Sequence, residues 1–383
     1  MKIDHSNVTF SSIVGIGQKV SKAEKESGEE YLHLNRGVNA VTNIDLANVV
    51  NNINPNTKEY QIYAPNLGLE VLRRNIVKEY FPSLSTDQFT NVSIMPGGMP
   101  GLDLIIQTLN VDTILFPKFY WGSYSKMATI RGKSFSFYDS LDDLNHNHLN
   151  DNTCIFICDP NNPTGIKMDD TYLYDHIVKL NDLGVTIIFD SPYRKLFHND
   201  IDLFDKIGNL ENVIVCESFS KSLGVSGARL GFIWCNDKNF NSEMNIRALY
   251  EFNGVCSSSQ LLVNELLSTD EGQKVVKEFR EKTTTDIYKN IEYLYNHNLL
   301  VDEIYKGSKP NGMFAIINLN EDFLFKNKIG AVGLDKFTHH DKDIYSSYSR
   351  ICVSVPHDKF VKFFNNIYIK QEQQYGTDFN IHL

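Results

Sequence analysis

Glu217–Phe232 reads "ESFSKSLGVSGARLGF". Lys221 stands among Ser218, Ser220 and Ser222, with glycines and Arg229 downstream and the strongly apolar "NVIVC" (212–216) directly before. A lysine bound for solvent needs none of this. An apolar strand that runs into small hydroxyl residues and a lysine suits a parallel sheet, where ligands bind beyond the carboxyl ends of the strands.

Like "VIVC" (213–216), four other apolar runs are continuous rather than alternating: "VSIM" (92–95), "TILF" (113–116), "CIFIC" (154–158) and "VTIIF" (185–189). Short runs rich in Val and Ile predict strands buried on both faces. Helical patterns separate them, such as "GLDLIIQTL" (101–109) and "DDTYLYDHIVKLNDLG" (169–184), the second closing on Gly184 as a helix C-cap. This alternation predicts an α/β fold with a mostly parallel sheet under helices. From about Thr269 to His297 the pattern becomes one long amphipathic helix, followed by strand-like "MFAIINL" (313–319) and "RICVSV" (350–355) and a helical "DKFVKFFNNIYIKQEQ" (358–373). We therefore expect a large domain over 40–280 and a smaller α+β domain formed by 1–39 and 281–383, with the long helix as bridge.

A chain of 383 residues is long enough for two domains and buries enough surface to need neither disulfide nor metal. Its charge, 37 basic against 47 acidic residues, gives −10 and disfavours nucleic acid. No apolar run approaches the roughly 20 residues of a membrane span. The start, "MKIDHSNVTF", has no signal pattern, so a cytoplasmic protein is expected. The six cysteines show no CxxC spacing and read as buried free thiols, and His146/His148 and His339/His340 lie in polar stretches that read as solvated loops. No metal site is expected.

Three strand ends carry the chemistry. "CIFIC" runs into "DPNNPTG", "VTIIF" into "DSPYR" and "VIVC" into "ESFSK", which delivers Asn162, Asp190 with Tyr193, and Ser218 with Lys221 to one edge. A lysine, a carboxylate and hydrogen-bond donors suit pyridoxal 5'-phosphate, which needs an amine for its Schiff base, a carboxylate at the ring nitrogen, and donors for its hydroxyl and phosphate. The segment "MPGGMPGLDLIIQTL" puts a glycine-rich turn at a helix start, where free N–H groups favour phosphate, and Ser218, Ser220 and Arg229 can complete that cup.

These segments resemble the pyridoxal-phosphate enzymes of fold type I, specifically the class I/II aminotransferases related to aspartate aminotransferase. "SFSKSLGVSGARLG" is similar to the family's S-x-S-K…G-x-R-x-G signature, "NNPTG" to its N-P-T-G segment and "DSPY" to its D-x-x-Y element. "YAPNLGLEVLRR", "FYWGSY" and "SRICVSV" resemble three further family stretches, in the family's order from Tyr63 to Arg350. The resemblance implies a mostly parallel seven-stranded sheet in the large domain. It further implies that Lys221 is the Schiff-base lysine and proton shuttle, Asp190 the ring-nitrogen partner, and Tyr193 and Asn162 the ring-hydroxyl donors. Trp121 would stack on the ring. Gly98, Met99, Ser218 and Arg229 would hold the phosphate, with Tyr63 reaching in from the other subunit of a homodimer. Arg350 would clamp the substrate carboxylate beside Gly37 and Asn162, and the substrates would be an amino acid and a 2-oxo acid.

On its own pattern, Arg350 alternates with Cys352 and Ser354 and reads equally as a solvated strand face. Phe119, Ser191, Pro192, Arg36 and Asn39 depart from the family's commoner residues. Arg36, next to Gly37, is a candidate for meeting an acidic or carbonyl-bearing donor side chain. A lyase, decarboxylase or oxidase on the same scaffold, and a non-catalytic binding protein, remain alternatives.

Overall fold

The computed structural model describes residues 1–197 and 202–375, so 376–383 of the expected small domain lie outside the described residues. Its strands are β1 Leu32–His33, β2 Val92–Met95, β3 Thr113–Pro117, β4 Phe135–Tyr138, β5 Thr153–Cys158, β6 Thr186–Asp190, β7 Val213–Ser218, β8 Gly231–Cys235, β9 Phe314–Ile317, β10 Ile329–Gly330, β11 Val332–Gly333 and β12 Ser349–Cys352. Seven of them form one sheet in the order β2-β8-β7-β6-β5-β3-β4. β4, β3, β5, β6 and β7 run parallel, and β8 pairs antiparallel with both β7 and β2.

The continuous apolar runs follow from this layering. Along β5, Ile155 and Ile157 enter one hydrophobic cluster while Cys154 and Phe156 enter the other; Val213 and Val215 of β7 are divided from Ile214 and Cys216 in the same way. Every residue of β5 and β7 is buried, so no position along them is free to be polar until the strand ends.

β11-β12-β9 form a separate antiparallel sheet, and β1 pairs in parallel with β10, which ties the N-terminal segment to the C-terminal part of the chain. The helix Asp270–Asn296 has 27 residues and is about 40 Å long. The hydroxyl of Thr269 caps it, accepting from Gly272 N at 3.0 Å. This helix anchors the surroundings of the site at three levels. Arg280 Nε donates to Ser222 O at 2.9 Å, Thr283 Oγ1 accepts from Asn39 Nδ2 at 2.9 Å, and Asn290 Nδ2 donates to the carbonyls of Val353 and Val355, each at 2.9 Å.

Among the described residues no helix is long and apolar enough to cross a membrane. All six cysteines are free, five buried and Cys256 exposed.

Candidate active site

β6 ends on Asp190, and its carboxylate is buried. Its Oδ2 accepts a hydrogen bond from the hydroxyl of Tyr124, on the helix Ser123–Ile130. Burial pushes the Asp190 carboxyl up to about 7, with the Tyr124 hydroxyl pulling the other way. A carboxylate held at such a cost has a use for a permanent cationic partner.

Three residues further on, Tyr193 meets Asn162 from the loop after β5: Asn162 Nδ2 donates to the Tyr193 hydroxyl oxygen at 3.2 Å. The phenol accepts here, so its own proton is available to donate. Burial holds that phenol well above its ordinary titration range, so it stays an O–H donor.

Lys221 lies in the single turn Phe219–Ser222 that follows β7, with Ser218 Oγ accepting from Ser220 N at 3.4 Å. Burial lowers the Lys221 ammonium below the usual lysine range, Arg229 and Arg350 push the same way, and Cys352 opposes them. An amine pressed towards its neutral form is what a nucleophilic lysine requires. Arg229, held with φ at 51°, reaches Ser226 O at 2.9 Å and Ser220 Oγ at 3.5 Å through Nη1. Its other arm faces Gly97 at the N-terminus of the helix Gly98–Thr108, whose first turn has no side-chain cap. A Cβ on Gly98 would stand 3.2 Å from Ser218 Cβ. Gly97, Gly98, Ser218, Ser220 and Arg229 thus gather N–H, hydroxyl and guanidinium donors in one place, a cradle suited to a dianion. Met99 offers it only backbone, since its side chain is exposed.

Arg350 is 1% exposed, which corrects the reading of β12 as a solvated strand face. The N-terminal segment covers it: its Nη2 donates to Asn35 O, and Nη1 lies 3.4 Å from Asn162 Oδ1. The guanidinium carbon stands 4.6 Å from the ring centre of Phe314 and 4.8 Å from that of Phe337. Burial brings Arg350 down to about 10, and its Nε finds no partner among the described residues. A buried guanidinium with an orphaned N–H is ready for a planar carboxylate.

Phe314 also meets Tyr193 edge to face, with ring centres 5.3 Å apart, and a Cβ on Gly37 would lie 2.6 Å from its Cζ. Gly37 therefore has to be small for Phe314 to support both neighbours. Trp121, half-buried, packs edge to face on Tyr124 at 5.6 Å. Tyr63 and Arg36 stand apart from this group. Tyr63 is 82% exposed and borders a groove of about 690 Å³ with Asn253 and Cys256. The exposed Arg36 lies against Gly17 of the helix Ser12–Ser27. Gly97, Tyr124 and Phe314 were missed as site residues in the sequence; only the quoted "FYWGSY" and "MPGG" stretches hinted at the first two.

A lysine, a costly carboxylate and an anion cradle at the carboxyl edge of a mostly parallel seven-stranded sheet define the pyridoxal-phosphate enzymes of fold type I. The chain belongs to the class I and II aminotransferases, whose family model matches residues 29–359. It is 27% identical over 233 residues to an aspartate aminotransferase of Pyrococcus horikoshii, covering 57% of this chain and 59% of that protein. To a histidinol-phosphate aminotransferase of Haemophilus influenzae (strain PittGG) it is 27% identical over 195 residues, 48% of this chain and 54% of that one. The matches thus span little more than half the length of these relatives. Among solved structures, aspartate aminotransferase from Thermus thermophilus with maleate shares the fold with a TM-score of 0.78 at 15% identity, over 96% of this chain and 99% of that chain. An aminotransferase from Mycobacterium tuberculosis does so with a TM-score of 0.81 at 14% identity, over 98% and 100%.

The family is pyridoxal-phosphate-dependent, and the side chains here fit that group. Among the described residues no cation pairs with Asp190, the Gly97–Arg229 cradle gathers anion donors, and the Lys221 amine is drawn towards neutrality.

Proposed function

We propose that this chain is an aminotransferase that moves an amino group from an L-amino acid to a 2-oxo acid, with pyridoxal 5'-phosphate carried on Lys221. The observation that supports it best is the placement of Lys221 within electrostatic reach of two arginines of different use, Arg229 beside the anion cradle and Arg350 beside Asn162. The cofactor, when bound, supplies an electron-accepting ring. Gly98, Met99, Ser218, Ser220 and Arg229 would hold its phosphate, Asp190 its ring nitrogen, and Tyr193 and Asn162 its ring hydroxyl, with Trp121 covering one face. Lys221 Nζ takes the proton from the donor's Cα, while Arg350 and Asn162 orient the donor's carboxylate and Gly37 leaves room for it. Phe314 and Phe337 screen the Arg350 guanidinium from water, which strengthens its hold on a carboxylate.

The working unit is a homodimer in which Tyr63 reaches the partner's phosphate cradle. Ile62 and Tyr63, both exposed, line the same groove, which supports a contact surface there. We also propose the division into 40–280 and 1–39 with 281–383, supported by the pairing of β1 with β10.

Borohydride reduction of the protein loaded with cofactor, followed by peptide mapping, tests the assignment. The label should sit on the peptide containing Lys221, and Lys221→Ala should bind cofactor without forming a reducible link. Labelling of another lysine would refute it.

A further inference from the structure

Tyr193 is followed by Arg194, whose side chain has no exposure at all. Its Nη1 donates to Asp159 Oδ2 at 2.6 Å and its Nη2 to Asp170 Oδ2 at 2.6 Å. Asp159, equally buried, opens the loop that carries Asn162, and its other oxygen accepts from Met168 N at 2.7 Å where that loop ends. Asp170 begins the helix Asp170–Asp182 that follows the loop. One guanidinium thus pins both ends of the Asn162 loop to the residue that follows Tyr193. Stability alone is a weak reason for this arrangement, because well-packed apolar residues often replace a buried ion pair without loss. What a planar two-armed guanidinium adds is direction.

We propose that Arg194 is a positioning residue: through Asp159 and Asp170 it sets the separation of the Tyr193 hydroxyl and the Asn162 amide, and with it their joint hold on the cofactor's ring hydroxyl. The proposal rests on the roles given above to Tyr193 and Asn162. A donor to that hydroxyl favours the state in which its oxygen carries more negative charge. Losing the donor therefore raises the pH at which the lysine-linked cofactor changes its absorbance.

The test is the pH midpoint of that absorbance in the loaded protein, read beside the melting temperature. Tyr193→Phe, which deletes the donor itself, is the reference and should move the midpoint upward by about one pH unit, roughly the loss of one hydrogen bond. Arg194→Met should reproduce more than half of that shift. Arg194→Lys should do so too, since one ammonium cannot span both carboxylates. Arg194→Met with Asp159→Asn removes the uncompensated charge, so the melting temperature should recover while the midpoint stays raised. A wild-type midpoint in this folded double variant, with Tyr193→Phe shifted, overturns the positioning role and leaves Arg194 structural. No shift in Tyr193→Phe itself overturns the role of Tyr193, and the proposal with it.

Discussion

A Cβ added to Gly97 would stand 2.7 Å from Nη2 of Arg229. The glycine's φ of 107° is a conformation that side chains rarely adopt, so any substitution there is strained as well as crowded. Arg229 can yield, because its far end is flexible, but only by leaving the cradle. Gly97→Ala should therefore weaken cofactor binding by about 10- to 100-fold, the worth of one charge-assisted hydrogen bond, in a protein that stays folded. Titration of the apoprotein with pyridoxal 5'-phosphate, followed by absorbance, measures this. Unchanged affinity would mean that Arg229 does not face the phosphate.

Asp190 gives a pH signature of its own. Burial raises its carboxyl from 3.8 to about 7, so the folded apoprotein holds this proton where the unfolded chain has released it. That contribution to stability is whole below about 4 and is lost as pH rises to about 7. Asp159, pushed up to about 6, and Glu217, also raised by burial, act in the same direction, so the comparison has to be with a variant. Asp190→Asn should flatten the fall in melting temperature between about pH 4 and 7, an effect of order a few kcal/mol at its upper end. Equal slopes in apo wild type and variant would show that Asp190 ionises normally. In the loaded enzyme the same variant should lose most of its turnover, since no carboxylate then faces the ring nitrogen.

The strands that carry the site were legible because burial on both faces keeps their central positions apolar. The long helix was legible from its amphipathic period. β4 was missed, since "FSFY" lies at the sheet's edge and is only half-buried, and β8 lay hidden in the glycine-bearing "GFIWC" that closes the lysine signature. Lys221, Asp190, Tyr193 and Asn162 could be picked out because each stands just past an apolar run. Tyr124 could not, because a tyrosine among Phe119, Tyr120 and Trp121 looks like core until its hydroxyl is seen on Asp190. The burial of Arg350 depends on Asn35, and the Arg194 bridge on Asp159 and Asp170; no local pattern records such long-range pairings.

Tyr63 tests the assembly. At 82% exposure it stands apart from the cluster of its own chain, so only in the proposed homodimer would it serve a site. Tyr63→Ala and Lys221→Ala, each severely impaired alone, should regain activity when their subunits are mixed and allowed to exchange. One site of the hybrid dimer then carries both lesions and the other carries neither. Demonstrated exchange without recovery would place Tyr63 within its own chain or outside the site.

Whether the chain transfers amino groups is decided by the half-reaction. Protein loaded with pyridoxal 5'-phosphate is mixed with each of a panel of L-amino acids in the absence of any oxo acid, and products are counted per Lys221. A preferred donor should yield one equivalent of its 2-oxo acid and then stop, and an added 2-oxo acid should restart turnover. Ammonia or carbon dioxide released over many turnovers, or no oxo acid from any donor, would contradict amino-group transfer.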